Sequence, residues 1–275
     1  MNWHRNLISD SVLVQETVEL LLALGGSASV LDIADTVLRI SNLHEELAIQ
    51  LVTDVIRGDR RLGFRERSTV ELLLDDSDAW LLRDTDFVVV DVETTGAKTP
   101  PGRITEIGAF RISRGQITDT FETLVNPQTP IPPFIADLTG ITDDMVKTAP
   151  LFADIAHDWL NFADGTVLVA HNAAFDVRFL NHEIGTVFPG GRMSNEHLCT
   201  VKLSRSLFPT LDNHRLHTVA EHFAIFITNR HRAGGDARAT AEVFLHMLEH
   251  LSDHGVHDLG GARSFKRHQR VAAVK

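Results

Sequence analysis

FVVVDVETTG, residues 87–96, runs four apolar residues into two carboxylates and then closes on a glycine turn. Residues i and i+2 of a strand share a face, so Asp91 and Glu93 project together. The carboxyl end of a central strand is where α/β folds place their sites. Two buried carboxylates this close repel unless a proton or a cation intervenes. Hard divalent cations take oxygen ligands and keep several waters. With no Cys or His motif beside the pair, Mg²⁺ or Mn²⁺ fits better than zinc. The plainer reading is two solvated carboxylates at a strand end, and the pair alone does not decide between the two.

Working outward, the region from residue 83 alternates strands and helices. RITEIGAFRIS and QITDTFETLV read as two strands joined by a tight turn at Arg114-Gly115. Helices are expected at 134–138 and 151–163, a fourth strand at 166–170, and helices from Ala173, near 200–207, near 216–223 and over about 236–250. This order predicts an α/β fold, a mixed sheet flanked by helices. Upstream, VLVQETVELLLAL, VLDIADTVLRI and HEELAIQLVTDVIRGD have helical spacing, with Gly25-Gly26 stopping the first and Ser29 placed to cap the second. RRLGFRERSTVELLL reads as two short strands around a turn. Three helices and a hairpin resemble a small winged-helix domain. The polar stretch 75–86 reads as the linker, giving domains at 1–82 and 83–255 with a basic tail at 256–275.

Composition bounds the rest. The 275 residues carry a net charge of −11 and one cysteine, Cys199, read as a small buried apolar residue; no intrachain disulfide can form. No run of eighteen apolar residues suggests a membrane span, and the amino terminus lacks the apolar core of a signal peptide. A cytoplasmic setting follows. Acidity argues against a nucleic-acid partner unless metal ions mask the carboxylates locally. Arg57, Arg60, Arg61, Arg65 and Arg67 cluster where winged helices touch DNA, yet the unit around them is acidic and many winged helices bind proteins. GARSFKRHQRVAAVK at the end carries five basic and no acidic residues; phosphate contact and a solvated tail are both open readings.

Two further motifs accompany the opening one. HNAAFD places Asp176 early in a helix after the fourth strand, and HRAGGD places His231 and Asp236 five residues apart at another helix start. DVETTG, HNAAFD and HRAGGD resemble, in order, the three motifs of the DEDDh 3′→5′ exonucleases, whose members include the proofreading epsilon subunit of bacterial replicative DNA polymerase. The resemblance spans about residues 84–250, and TEIGAF and LTGIT also look like its connecting segments. The family branch that uses tyrosine in the last motif is excluded, because the chain has no tyrosine.

The resemblance implies an RNase H-like fold with a mixed five-stranded sheet, and a site of two metal ions, Mg²⁺ or Mn²⁺. Asp91, Glu93, Asp176 and Asp236 match the metal-binding carboxylates and His231 the general base. It further implies that backbone around Thr94 and Thr95 contacts the 3′ end and that Leu138 and Phe175 pack around the base or sugar of the terminal nucleotide, with His171 and Asn172 as neighbours. Glu106, on the second strand, is read as satisfying local polar groups. His214, His217 and His222 are read as structural or surface residues. The implied reaction is hydrolysis of DNA from a single-stranded 3′ end, releasing nucleoside 5′-monophosphates in proofreading or repair. An RNA substrate and a non-catalytic adaptor are the alternatives. A polymerase or repair protein is the partner implied, through the N-terminal unit or the basic tail.

Overall fold

The computed structural model describes residues 4–73 and 76–266. The chain divides into two compact units. One holds the described residues of Met1–Asp75 together with Ala156–Gly165 and Ile184–Ser194; the other holds the rest.

The first unit begins with β1 (Leu7–Ser9), α1 (Val12–Ala23), β2 (Ser27–Ser29), α2 (Val30–Thr36), α3 (Glu45–Ile56), β3 (Leu62–Glu66) and β4 (Thr69–Leu72). Leu21, Val30, Ile33, Ala48, Val52 and Val70 form its apolar core. Ser29 caps α2 through a reciprocal box: the Asp32 amide donates to Ser29 Oγ at 3.1 Å and the Ser29 amide to Asp32 Oδ2 at 3.4 Å. The expected hairpin β3–β4 is present, and it gains a third strand, in the order β2–β4–β3. Three residues of SAS carry no periodic signal, so nothing in the sequence announced β2. Of the arginine cluster, Arg61 is consumed structurally: it pairs with Asp59 (2.8 Å) and donates to the Ser9 carbonyl (3.2 Å). Arg67 pairs with Glu46 (3.0 Å).

The chain continues with β5 (Phe87–Thr94), β6 (Ile104–Ser113), β7 (Gln116–Leu124), α4 (Pro133–Thr139), α5 (Asp143–Val146), α6 (Phe152–Phe162), β8 (Val167–Ala170), α7 (Ala173–Val187), β9 (Gly191–Met193), β10 (His197–Cys199), α8 (Thr200–Leu207), α9 (Leu216–His222), α10 (Ala233–Asp253) and α11 (Leu259–Ser264), which make up the second unit apart from β9, most of α6 and the end of α7. The five-stranded sheet runs β10–β8–β5–β6–β7. It is mixed, as expected: β5 is antiparallel to β6 and parallel to β8. Phe87–Val90 are buried on both faces, which is why the strand reads as a continuous apolar run. β6 and β7 meet at the turn where Arg114 (φ 50°) and Gly115 (φ 74°) both adopt left-handed backbone.

The division between units departs from the boundaries 1–82, 83–255 and 256–275. Residues 76–82 belong with the second unit. Leu82 is buried in its core and donates its amide to the His257 carbonyl at 2.8 Å, and Arg263 pairs with Asp78 at 2.7 Å. The polar residues of this stretch masked its apolar anchors. The supposed tail begins as structure too: Asp258 caps α11 through the Gly261 amide (2.7 Å), and Leu259 and Ala262 are buried. Most of the basic run, 267–275, lies outside the described residues. Conversely, β9 belongs with the first unit, where it pairs antiparallel with β1. No helix among the described residues is long and apolar enough to cross a membrane.

Candidate active site

The site forms where β5 runs out beside the amino termini of α7 and α10. Asp91 faces Gly108 across the β5–β6 ladder. A side chain on Gly108 would overlap the Ala233 backbone, whose carbonyl carbon lies 2.3 Å from an ideal Cβ. This glycine therefore lets the start of α10 lie directly on the sheet. Gly235 does the same against the Thr228 carbonyl (2.0 Å). The close approach delivers Asp236, in the first turn of α10, to the strand carboxylates. Asp91, Glu93 and Asp236 offer oxygens that all lie within 4.8 Å of one another.

Asp176, in the first turn of α7, is 3% exposed and accepts from the Val92 amide at 3.2 Å, between the two strand carboxylates. It adjoins the trio without joining it at that spacing. His231 has left-handed backbone (φ 61°) and its amide donates to Asp236 Oδ2 at 3.1 Å. The other oxygen, Asp236 Oδ1, is buried and lacks a hydrogen-bond partner among the described residues.

Electrostatics follow from this crowding. Burial, then the charges of Asp176, Glu93, Asp236 and Glu106, hold the Asp91 carboxyl well above the usual range. Burial and the Asp236, Glu106 and Asp176 charges push Glu93 up to about 8, against a weaker opposing pull from Arg232. Burial raises Asp176 to about 8 despite two backbone hydrogen bonds. It raises Asp236 as well, countered by the His231 amide. A divalent cation held among these oxygens would offset their mutual repulsion. Clustered hard oxygen donors with one orphaned buried oxygen fit Mg²⁺ or Mn²⁺.

Around the cluster, other carboxylates are neutralised by protein groups. Glu106, the register partner of Glu93, takes Arg232 Nε at 3.1 and 3.0 Å, a further bond from Arg232 Nη2, and the Ala233 amide at 2.8 Å. Glu183 holds Arg103 in a fork at 2.8 and 2.7 Å and accepts the Ile104 amide at 3.1 Å, tying α7 to the start of β6. Arg232 is the residue that sequence reasoning missed. A buried glutamate on an inner strand demands a cation, and the arginine beside His231 was the available signal.

The remaining expected residues differ in what they can offer. Thr94 gives its hydroxyl to the Gly96 carbonyl (2.8 Å). Thr95 donates its amide to the Arg103 carbonyl (2.9 Å), and its hydroxyl oxygen accepts from the Arg103 amide (3.0 Å). His171 is locked as well. Nε2 lies 3.0 Å from the His214 carbonyl, which can only accept, so Nε2 carries the proton and Nδ1 accepts from Thr200 (2.9 Å). Burial lowers its pKa to about 4, and this neutral imidazole is a loop brace. Asn172, exposed with φ 89°, shapes the entry to α7 and receives the Phe175 amide on its carbonyl (2.8 Å). Phe175 packs on Phe179 (centroids 4.8 Å), with the Arg178 guanidinium over both rings. Leu138 is 53% exposed. Cys199 is half-buried rather than fully buried.

A mixed sheet flanked by helices, with carboxylates gathered at the end of its central strand, defines an α/β protein of RNase H-like fold with a candidate divalent-cation site. Residues 88–244 match the family model RNase_T, exonuclease, and the chain belongs to this exonuclease family. It is 42% identical over 213 residues to a PolC-type DNA polymerase III of Caldanaerobacter subterraneus subsp. tengcongensis, covering 78% of this chain but only 15% of that protein. It is 39% identical over 180 residues to the DNA polymerase III subunit epsilon of Treponema pallidum, covering 65% of this chain and 83% of that one. Among solved structures, exonuclease X in complex with 5′-overhanging duplex DNA is similar at TM-score 0.50 and 28% identity, covering 59% of this chain and 91% of that chain.

Proposed function

We propose that this exonuclease works from the 3′ end of DNA, releasing nucleoside 5′-monophosphates with the help of two divalent cations. The observation that carries the reading is the trio Asp91, Glu93 and Asp236 with its orphaned Asp236 oxygen. These residues, with Asp176 completing the set, would hold the ions. Such ions supply a water of lowered pKa and a counter-charge for the leaving 3′ oxygen. His231, tethered to Asp236 through its own amide, accepts the proton of the attacking water. Leu138 and Phe175 bracket the terminal nucleotide. DNA is favoured over RNA because the relatives above are DNA polymerase III components and the structural neighbour is bound to DNA. The N-terminal unit, which begins in the order strand–helix–strand–helix–helix–hairpin, is read as a winged-helix-like module that docks a replication or repair partner.

The test is a time course on 5′-labelled single-stranded DNA and RNA of one sequence, with Mg²⁺, Mn²⁺ or chelator. A ladder shortening from the 3′ end, faster on DNA and lost with chelator, is expected. Faster shortening of RNA would transfer the assignment to RNA turnover, and cleavage that survives chelator would sink the metal site.

A further inference from the structure

Phe134 is 67% exposed, and Leu138, four residues on, lies on the same face of α4. The opposite face is used for packing: Ile135 and Ala136 lie on a small core of Ile131, Ile141 and Val146 with Leu124. The helix is held firmly. Pro133 presets its first turn, and Gly140 ends it in left-handed backbone (φ 71°), donating to the Ala136 carbonyl at 2.8 Å. An aromatic ring held out in solvent on a rigid support forgoes the burial that would stabilise the fold.

The support stands close to the carboxylates. Leu124 is the register partner of Glu106, and Glu106 that of Glu93. The core beneath α4 thus sits two strand spacings, about 10 Å, from a proposed metal ligand. Meanwhile three arginines around the carboxylates are engaged, Arg232 by Glu106, Arg103 by Glu183, and Arg178 by the Ala97 carbonyl and two phenylalanine rings, while the exposed Arg230, whose charge acts on Asp236, lies 3.4 Å from His217 Nδ1. An acidic body with most of its nearby guanidiniums taken has little charge to give to phosphates. Stacking of bases on aromatic rings is the other way to hold a single strand, and it tolerates any sequence.

We propose that Phe134 is a stacking platform that positions the nucleotides just upstream of the scissile bond, extending the contact made by Leu138. The inference rests on the exonuclease reading above, and the experiment separates the two. Wild type, Phe134→Ala, Phe134→Leu and Phe134→Trp are compared on two substrates. One is the p-nitrophenyl ester of thymidine 5′-monophosphate, which has no upstream base. The other is a thymidine series from dinucleotide to octanucleotide, with and without an abasic residue upstream of the cut. Phe134→Ala raises KM on the longer oligomers about tenfold with kcat nearly unchanged, Phe134→Trp restores the wild-type value, and Phe134→Leu does not. All four proteins hydrolyse the ester alike. The abasic residue raises KM for wild type and leaves Phe134→Ala unaffected. Equal KM values for wild type and Phe134→Ala on every oligomer, with the ester still hydrolysed, would overturn the platform and give this face to a protein partner. Failure of wild type on both substrates would instead overturn the exonuclease reading itself.

Discussion

Glu93 and Glu106 face one another across two strands, and the fold treats them in opposite ways. Glu106 receives a guanidinium and a backbone amide. Glu93 is left among Asp91, Asp176 and Asp236, and its pKa climbs to about 8. The same side chain, one strand apart, is neutralised by a protein cation in one case and crowded by other carboxylates in the other. Glu183, forked onto Arg103, belongs with Glu106. Buried carboxylates with built-in cationic partners hold the framework, and those crowded together without one carry the raised pKa values that mark candidate functional sites.

That contrast can be broken by substitution. The largest effect is expected at Asp91. Asp91→Asn lowers kcat about a thousandfold, about 4 kcal/mol of barrier, yet raises the melting temperature in chelator because one repelling charge is gone. A fall in that melting temperature would erase the distinction. Glu183→Ala removes a carboxylate that is 1% exposed, leaving the Ile104 amide and the 26% exposed Arg103 guanidinium without it, and costs about 2–3 kcal/mol in chemical denaturation. His231→Ala lowers kcat about a hundredfold while the metal-induced rise in melting temperature persists; loss of that rise would make His231 a support for the ions instead. Glu106→Gln costs only about 1–2 kcal/mol, since the Arg232 side chain is 36% exposed and solvent can take over part of its charge.

Smallest and most diagnostic is the pH dependence. Raised carboxylates bind more protons in the folded chain than in the unfolded one between their ordinary value, near 4.5 for Glu93, and about 8. Stability of the metal-free protein therefore falls as pH rises through that window. Added Mn²⁺ should raise the melting temperature most at the alkaline end. Calorimetry at several pH values, with and without the ion, reads both slopes. A flat metal-free profile would mean that the cluster is solvated and unperturbed.

Much of this was legible beforehand because it depended on local pattern. The β5 run, the β6–β7 turn and the long helices were set by periodicity and turn residues. DVETTG, HNAAFD and HRAGGD led to four carboxylates that the fold brings to one neighbourhood. What stayed hidden depended on distant partners. β2 and β9 are three residues long and exist only because β4 and β1 lie alongside them. Arg232 has meaning only once Glu106 is known to be buried. The holds on His171 by Thr200 and the His214 carbonyl, and on Thr95 by Arg103, likewise depend on residues far off in sequence.

The pairing of β1 with β9 bears on how the chain answers to a protease. Leu7–Ser9 are laced to Gly191–Met193, the Asn6 side-chain amide donates to the Leu160 carbonyl at 3.0 Å, and the Ser194 amide donates to the Asn6 carbonyl at 2.8 Å. A cut between Leu73 and Asp76 would therefore nick the molecule without parting it. The two fragments, distinct on a denaturing gel, would migrate together in a native one.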